Sequence, residues 1–240
     1  MRTKARLNSC SGSGASAWIL NTDHMHSFAF KLATRLRLGL PHADNLPIRC
    51  PACSTDLRQN PAHLLICNKA NGLLQTVRHD VIRDLLVSFL QRVGIRAIAE
   101  PNYYGALSSK KKVDIDATFP LFDTHLVEVA VMTPTAKTFL KKAQEKQGGA
   151  AVREDSKTNK YQKSASAADA TFVPFVMESF GTIGKQALKF IDNIVIHAYD
   201  VAPDLFSLAA LRREIIDSLS TTLQIANAKV IRALLKKLFV

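Results

Sequence analysis

The sequence predicts an α/β fold, in which helices flank a mixed β-sheet that follows a small Cys/His segment and a helical N-terminal segment. Apolar residues recur at helical spacing in some stretches and alternate in others, in the order helix, three strands, helix, strand, helices. Three of the four cysteines and one histidine fall within 18 residues. The hydrophobic fraction of 47% over 240 residues allows a sizeable core.

These patterns divide the chain into four segments. We expect a helical lead-in over residues 1–47 with a loose N-terminus, because residues 8–16 are rich in Ser and Gly. The Cys/His segment spans residues 48–72, the α/β domain spans 73–200, and a helical tail spans 201–240.

Individual elements follow from periodicity and from the residues that end them. One or two short helices are expected between Ala17 and Leu40, and a longer amphipathic helix from Val77 to Val93 that Gly94 ends. The next predicted elements are strands Ile95–Glu100, Val113–Phe119 and Leu126–Met132, a Lys-rich, mostly helical stretch Pro134–Ala170 broken at Gly148-Gly149, strand Thr171–Met177, and helices Ile183–Ala198 and Leu205–Leu238. Phe122–His125 is short enough to join two strands as a hairpin.

The charge balance favours a polyanionic partner. Lys and Arg number 32 against 20 Asp and Glu, a net charge of +12, which attracts nucleic acid by steering and by counterion release. We find neither a secretory apolar segment nor an apolar run long enough for a membrane helix, so no membrane partner is predicted. The clustered cysteines favour a reducing, intracellular setting, and the nucleus suits a DNA partner. No small-molecule cofactor is predicted.

The Cys/His segment has the spacing of a zinc knuckle. Cys50, Cys53, His63 and Cys67 form the pattern C-x2-C-x9-H-x3-C, and four such ligands suit a closed, structural zinc site. The alternative is a pair of buried cysteines beside an unrelated histidine. Cys10 lies far from this segment and is expected to be an idle thiol.

Two acids on neighbouring predicted strands indicate a second metal site. Strand alternation puts Asp114 and Asp116 on the same face of their strand. In the next strand, Leu-Val-Glu-Val-Ala-Val-Met, it puts Glu128 on one face and the valines on the other. An acid there is costly unless it is compensated, and a magnesium ion is one such compensation. The alternatives are that Glu128 faces solvent or pairs with a nearby Lys or Arg. Asp116 is the weaker candidate, since it could simply end its strand.

A lysine commonly completes such a site, because it can neutralise charge that develops on a phosphate. Ala130 stands two residues after Glu128, so Lys157 and Lys160 on the following helix are the candidates. The predicted contacts with nucleic acid are Arg78, His79, Lys137, Lys141, Lys142 and Tyr161. The lysines could equally form a solvated face, His79 could have a structural role at its helix start, and Tyr161 could pack in the core. Glu100 is either a further acid or a strand-end residue.

In this order, these residues resemble the C-terminal part of site-specific non-LTR retrotransposon proteins. That part is a CCHC zinc knuckle followed by a restriction-like endonuclease of the PD-(D/E)xK superfamily. The resemblance covers roughly residues 17–240. The matching pieces are Arg35-Leu-Arg-Leu-Gly-Leu-Pro41, the four Cys/His ligands, Arg78-His79-Asp80, Lys112-Val113-Asp114, Glu128 after 13 intervening residues, Lys157-x-x-Lys160-Tyr161, and Phe172-Val-Pro-Phe175 with Glu178, Gly181 and Gly184.

The resemblance implies that residues 73–200 are a magnesium-dependent endonuclease that nicks DNA to prime reverse transcription, with retrotransposon RNA as a second partner. It implies Asp114 and Glu128 as magnesium ligands and Lys157 or Lys160 as the catalytic lysine. Val113 replaces the proline of the motif. No reverse transcriptase segment precedes the knuckle in these residues, so we expect a fragment, a degenerate copy or a domesticated gene.

Three functions stay open at this point. The first is a DNA endonuclease, the second is a nucleic-acid-binding remnant without turnover, and the third is a resolvase or repair nuclease of the same fold. The first two differ in one geometric expectation. In an intact site, Asp114 and Glu128 share one sheet face with a lysine directed at them.

Overall fold

The computed structural model describes residues 1–20, 25–43, 48–71, 74–101, 113–145 and 148–239. Helices precede the sheet in the chain, and a 3₁₀ turn over Pro61–Leu65 lies between the third and the fourth. These helices are α1 (Arg2–Cys10), α2 (Ala17–Leu20), α3 (Ser27–Leu38), α4 (Asn68–Asn71) and α5 (Leu74–Arg92).

Strands alternate with helices in the remainder of the chain. In order, these elements are β1 (Arg96–Ala99), β2 (Ile115–Thr118), β3 (Thr124–Met132), α6 (Lys137–Leu140), α7 (Gly148–Ser166), β4 (Thr171–Glu178), α8 (Lys185–Val201) and α9 (Leu208–Phe239). Short 3₁₀ turns precede β3 and follow α6.

The four strands form one mixed sheet in the order β1-β2-β3-β4. β1 pairs antiparallel with β2 and β2 antiparallel with β3, whereas β3 and β4 are parallel. The helical stretch between β3 and β4 supplies the crossover that parallel strands require. The prediction of an α/β fold with a mixed sheet is therefore confirmed, including the hairpin of β2 and β3.

Some predictions differ from the structure or fall outside the described residues. The predicted strand at Val113 begins two residues later, because the side chain of Asp114 replaces the next rung of the ladder. Residues 102–112, which include Lys112 of the resemblance, and Lys146 of the Lys-rich stretch lie outside the described residues.

The larger core lies on the face of the sheet that carries Val127 and Val129 of β3. Helix α5 contributes the stripe predicted from its spacing, which includes Ile82, Leu86 and Leu90, all fully buried. Helix α8 and the first half of α9 complete this layer. The valines of β3 are thus core residues, as the alternation predicted.

The opposite face is covered by α7 and carries two smaller apolar clusters. One of them contains Leu126 and Tyr161, and the other contains Ala130 and Met132. Glu128 lies on β3 between Leu126 and Ala130, so this buried acid separates the two clusters.

A third apolar cluster joins the N-terminal helices, the Cys/His segment and the C-terminal half of α9. Trp18 and Leu36 are buried there, together with Leu64 and Leu65 of the 3₁₀ turn and Leu234 of α9. Helix α9 therefore contributes to two cores in succession.

The Ser/Gly segment that was expected to be loose packs into the fold. Ala15 is fully buried, and the Ser13 carbonyl accepts a 2.9 Å bond from the Ile183 amide. A Cβ at Gly12 would lie 2.2 Å from Thr182 Oγ1, so the missing side chain permits this close approach. In the described part of the chain, no helix has both the length and the apolar composition needed to cross a membrane.

Candidate functional site

The Cys/His cluster is built from a tight turn and the 3₁₀ turn that follows it. Cys50 and Cys53 share a turn in which the Cys50 carbonyl accepts bonds from the amides of Cys53 (3.3 Å) and Ser54 (2.7 Å). Ser54 adopts a left-handed conformation with φ 60°. The 3₁₀ turn carries His63, and Cys67 lies two residues after the end of this turn. The backbone thus brings the four predicted ligands together.

The ligand atoms of these residues fit a tetrahedral zinc ion. Cys67 Sγ lies 3.9 Å from Cys50 Sγ and 3.7 Å from Cys53 Sγ, whereas a tetrahedron with Zn–S bonds of about 2.3 Å has sulfur–sulfur edges of about 3.8 Å. His63 directs Nε2 at Cys53 Sγ, 2.9 Å away. Among the described residues, this is the one group of three or more His, Cys, Asp or Glu whose ligand atoms all lie within 4.8 Å. A Cys3His group that could bind a metal such as zinc is therefore present.

The electrostatics of the cluster suit metal binding. Burial, followed by the nearby Arg2 charge, lowers the pKa of His63, which favours the neutral imidazole that a metal needs. Burial alone would raise the pKa of Cys53, but hydrogen bonds from Thr55, Cys67 and Cys50 lower it overall. Both shifts favour the protonation states of zinc ligands.

Asp114 is held where β2 and β3 begin to separate. Its amide donates to Val127 O at 3.1 Å, and its carboxylate oxygen Oδ2 accepts the Val129 amide at 2.7 Å. A backbone carbonyl would normally accept that amide in an antiparallel ladder. Extending the register from Ile115 opposite Val127 puts Asp114 opposite Glu128, on the shared face that the alternation predicted.

Lys157 reaches Glu128 from α7. Glu128 is 7% exposed, and the Lys157 ammonium donates to its Oε1. Its other oxygen, Oε2, is buried without a hydrogen-bond partner among the described residues. Burial and then the Asp114 charge raise the pKa of Glu128, whereas Lys157 and Tyr161 lower it. The expected lysine is therefore directed at the acid, and one acid oxygen is left unsatisfied.

His79 contacts the other acid directly. Its Nε2 lies 3.0 Å from Asp114 Oδ2, and its Nδ1 lies 3.0 Å from Asp80 Oδ1. The hydrogen bond to Asp114 raises the pKa of His79 to about 9, although burial opposes it. His79 therefore lies beside the predicted metal site, and its role is not limited to the start of its helix. Sequence spacing gives no signal for its contact with Asp114, because the two residues lie on different elements.

The remaining lysine and the tyrosine flank the acids. Tyr161 is 4% exposed and stacks on Phe172, with ring centroids 5.3 Å apart. Lys160 is exposed, with Nζ 4.7 Å from the Tyr161 ring centroid. Of the two alternatives for Tyr161, packing in the core is the one observed, and its ring is not free to stack on a base. Between the two lysines, Lys157 is the one that contacts Glu128.

Arg78 is not a surface contact for nucleic acid, contrary to expectation. It is 4% exposed and donates to Leu65 O and Ser179 Oγ, both at 3.0 Å. Burial lowers its pKa to about 10, so it stays charged at neutral pH. Its role is to join the Cys/His segment to the end of β4, and the helical pattern around it could not reveal that tertiary contact.

Other candidates lie away from the acids. Lys137, Lys141 and Lys142 are exposed on and after α6, and Lys142 lies 3.4 Å from Glu145. Glu100 is exposed and pairs with Arg83, so it belongs to a surface ion pair. Asp116 is buried beside Thr118, whose hydroxyl lies 3.4 Å from its carboxylate.

No model of a known protein family matches this chain, and no curated protein matches it.

Proposed function

We propose that this chain is a divalent-metal-dependent DNA endonuclease of retrotransposon origin with a restriction-endonuclease-like fold. The environment of Glu128 carries the proposal. One oxygen of this buried carboxylate accepts a bond from Lys157, and the other has no partner among the described residues. The charge of Asp114 is close enough to raise the pKa of Glu128. Placing a buried acid beside a half-buried one is costly, and a divalent cation would offset that cost.

Each residue has a defined role in this proposal. Asp114 and Glu128 would hold magnesium through carboxylate oxygens, and the bound ion would supply a Lewis acid and an activated water at the scissile phosphate. Lys157 lowers the pKa of Glu128 against the larger effect of burial and neutralises charge on the phosphate during cleavage. Lys160, exposed one helical turn away, contributes a second positive charge to the approach of DNA. The zinc knuckle holds the neighbouring backbone and takes no part in the chemistry.

Charge distribution supports a nucleic-acid substrate. Residues 1–71 and 225–240 contain 13 of the 32 Lys and Arg but only 3 of the 20 Asp and Glu, so they carry ten of the twelve net positive charges. These ranges pack together, because α9 contacts α2, α3 and α4. Such a surface attracts a phosphate backbone. A DNA substrate favours the nucleus, and retrotransposon RNA is a second polyanion that would fit.

Plasmid cleavage tests the endonuclease. The wild type should nick supercoiled DNA with magnesium but not with chelator, and Asp114→Asn, Glu128→Gln and Lys157→Ala should each slow nicking by about 100-fold or more. Asp155→Asn and Lys163→Ala are the matched controls, since both change exposed residues of α7. Cleavage that survives both acid substitutions would disprove the assignment of the site.

A second candidate, nucleic-acid binding without turnover, is favoured by one observation. Each acid already has a cation, since His79 contacts Asp114 and Lys157 contacts Glu128, and these cations compete with a metal. A wild type that binds DNA in a salt-dependent manner but cleaves no DNA under any metal condition would establish this candidate. In that case Glu128→Gln should leave DNA affinity unchanged.

A further inference from the structure

A cavity of about 80 Å³ lies between α1, the end of α3, the loop before the zinc ligand His63, and the loop after β3. Three arginines line it, namely Arg2, Arg6 and Arg58, and no Asp or Glu does so among the described residues. The cavity is separate from the acid pair, and nothing in the proposed cleavage reaction uses it. Its size exceeds what one water molecule needs and suits a small oxyanion.

Polar atoms at the cavity lack partners. Asn60 and Thr135 are each 4% exposed, and Asn60 Oδ1, Thr135 Oγ1 and Arg2 Nε are all buried without a hydrogen bond in the described part of the chain. Buried polar atoms without partners are rare in folded proteins, and each one indicates a missing ligand, ion or water. Here the unsatisfied groups include one guanidinium nitrogen and one hydroxyl that can donate.

The charges of these arginines are not matched by ion pairs in the part of the chain that the structure describes. Within the described ranges, none of the three forms an ion pair. Arg6 donates to the Arg37 carbonyl, which fixes its position but leaves its charge. The nearest loop acid, Asp56, accepts the backbone amides of Arg58 (2.8 Å) and Gln59 (3.1 Å) and thereby caps its own turn. Three guanidinium groups around a cavity with no acid among its described lining residues suit an anion, since Arg binds phosphate through charge-assisted, often paired hydrogen bonds.

We propose that this cavity binds a phosphate group, with Arg2, Arg6 and Arg58 supplying the charge and Thr135 a polar contact at its base. The Arg2 Nε–H group and the Thr135 hydroxyl, both without partners among the described residues, act as donors to the phosphate oxygens. The cavity volume of about 80 Å³ suits a phosphate group, so the ligand is inorganic phosphate or the terminal phosphate of a larger molecule. This site is independent of the endonuclease proposal.

Phosphate binding to the full chain is measured by calorimetry and by the thermal midpoint, against chloride at matched ionic strength. The wild type should gain stability as phosphate increases. Arg58→Gln should weaken phosphate affinity by about 10- to 100-fold, because a charge-assisted bond is lost. Thr135→Val should keep its stability without phosphate, since the hydroxyl has no partner to lose, but should bind phosphate about 10-fold more weakly.

Arg49→Gln is the matched control. Arg49 belongs to the same segment and has the same charge, but its guanidinium donates to Ser54 O and does not line the cavity. Asp114→Asn should also bind phosphate normally, which separates this site from the cleavage site. A wild type without phosphate-specific stabilisation, as expected of a cavity filled only by water, would overturn the proposal. Equal losses in Arg49→Gln and Arg58→Gln would do the same.

The two phosphate sources are distinguished with oligonucleotides. A single strand with a 5′-phosphate is compared with the same strand carrying a 5′-hydroxyl. Tighter binding of the phosphorylated strand that Arg58→Gln abolishes identifies a terminal phosphate as the ligand. Equal binding of both strands, with inorganic phosphate still bound, identifies the free ion.

Discussion

The buried ion pair of Glu128 and Lys157 is not explained by its contribution to stability. A buried ion pair offsets desolvation poorly unless every polar atom is satisfied, and Glu128 Oε2 has no partner among the described residues. Stability alone would therefore favour an apolar residue here, since the neighbours Leu126 and Ala130 belong to apolar clusters. The retention of a polar pair at this position supports the metal site proposed for Glu128.

His42 gives a pH-dependent prediction at the same scale. Its Nε2 contacts Pro61 O, while Nδ1 is buried without a partner among the described residues. Burial lowers the pKa of His42 to about 4, the Pro61 carbonyl opposes this shift, and the Arg35 charge adds to it. As the pH falls, His42 therefore takes up a proton in the unfolded state before it does so in the folded state. Its contribution to the free energy of unfolding is present above about pH 6.5 and falls by about 3 kcal/mol as the pH is lowered to 4.

The measurement is the free energy of unfolding by denaturant at several pH values. His42→Gln retains an N–H donor but does not titrate, so its stability should fall by about 3 kcal/mol less than the wild type between pH 6.5 and 4. Other groups titrate in this range in both proteins and cancel in the difference. His26→Gln, at an exposed histidine, should follow the wild type. Parallel curves for His42→Gln and the wild type would contradict the prediction.

At the scale of elements, buried glutamates cap helices from outside. Glu154 Oε1 accepts the Gln186 amide at 2.9 Å in the first turn of α8, and Glu178 Oε1 accepts the Ala150 amide at 2.8 Å near the start of α7. A carboxylate at a helix N-terminus satisfies a free amide and favours the helix dipole. The sequence motif that contains Glu178 and Gly184 is therefore explained by helix capping.

Gly184→Ala tests this capping. Gly184 has an ordinary φ of −65°, but a Cβ there would lie 2.2 Å from Glu154 Oε1. The methyl group should displace the carboxylate from α8 and lower the free energy of unfolding by about 2 kcal/mol or more, measured by chemical denaturation. Because truncating Glu154 removes the clash, the double variant with Glu154→Ala should lose less than the sum of the single losses.

Gly94→Ala provides a comparison in which the loss of stability has a different cause, namely backbone conformation and not a steric clash. Gly94 has φ +81° and open space around its would-be Cβ, so its cost comes from backbone conformation, about 1 kcal/mol. Strict additivity of Gly184→Ala with Glu154→Ala would show that the glycine is required for another reason.

Sequence periodicity predicted the elements better than their contacts. The stripe of α5 and the alternation of β3 follow from local spacing, so both faces of β3 were predicted correctly. The C-x2-C spacing predicted the cluster of Cys50 and Cys53 for the same reason. The burial of Arg78 was not predicted, because its partner Ser179 is 101 residues away, and a local pattern contains no information on such a contact.

For the whole molecule, the Cys/His segment and the sheet are coupled through shared elements. Helix α9 spans 32 residues, about 48 Å at 1.5 Å per residue, and packs with both α5 and α3. Leu64 and Leu65, which lie between His63 and Cys67 in the sequence, are fully buried in the N-terminal cluster. Metal binding by the cluster should therefore stabilise the N-terminal core as well as its own loop.

Zinc removal tests this coupling. The chain should contain one zinc ion by elemental assay, and a strong chelator should shift the emission of Trp18 to longer wavelength, because this single tryptophan is buried in the N-terminal cluster. Hydrogen exchange should show that the amides of β3 and β4 stay protected longer than those of the 3₁₀ turn.

Cys50→Ser should bind no zinc, whereas Cys10→Ala should bind it normally, since Cys10 lies outside the cluster. A folded chain that contains no metal, with Trp18 emission unaffected by chelator, would contradict the zinc assignment.

The two contacts of the Asp114 carboxylate have a consequence for which substitutions the sequence can accept over time. Its Oδ2 accepts the Val129 amide in place of a backbone carbonyl and also contacts His79. Loss of this carboxylate would leave a strand amide unsatisfied, so selection for a folded chain preserves Asp114 whether or not the proposed cleavage is also selected. Under the proposed endonuclease function, a lineage that abandoned cleavage should therefore lose Lys157 or Glu128 before Asp114.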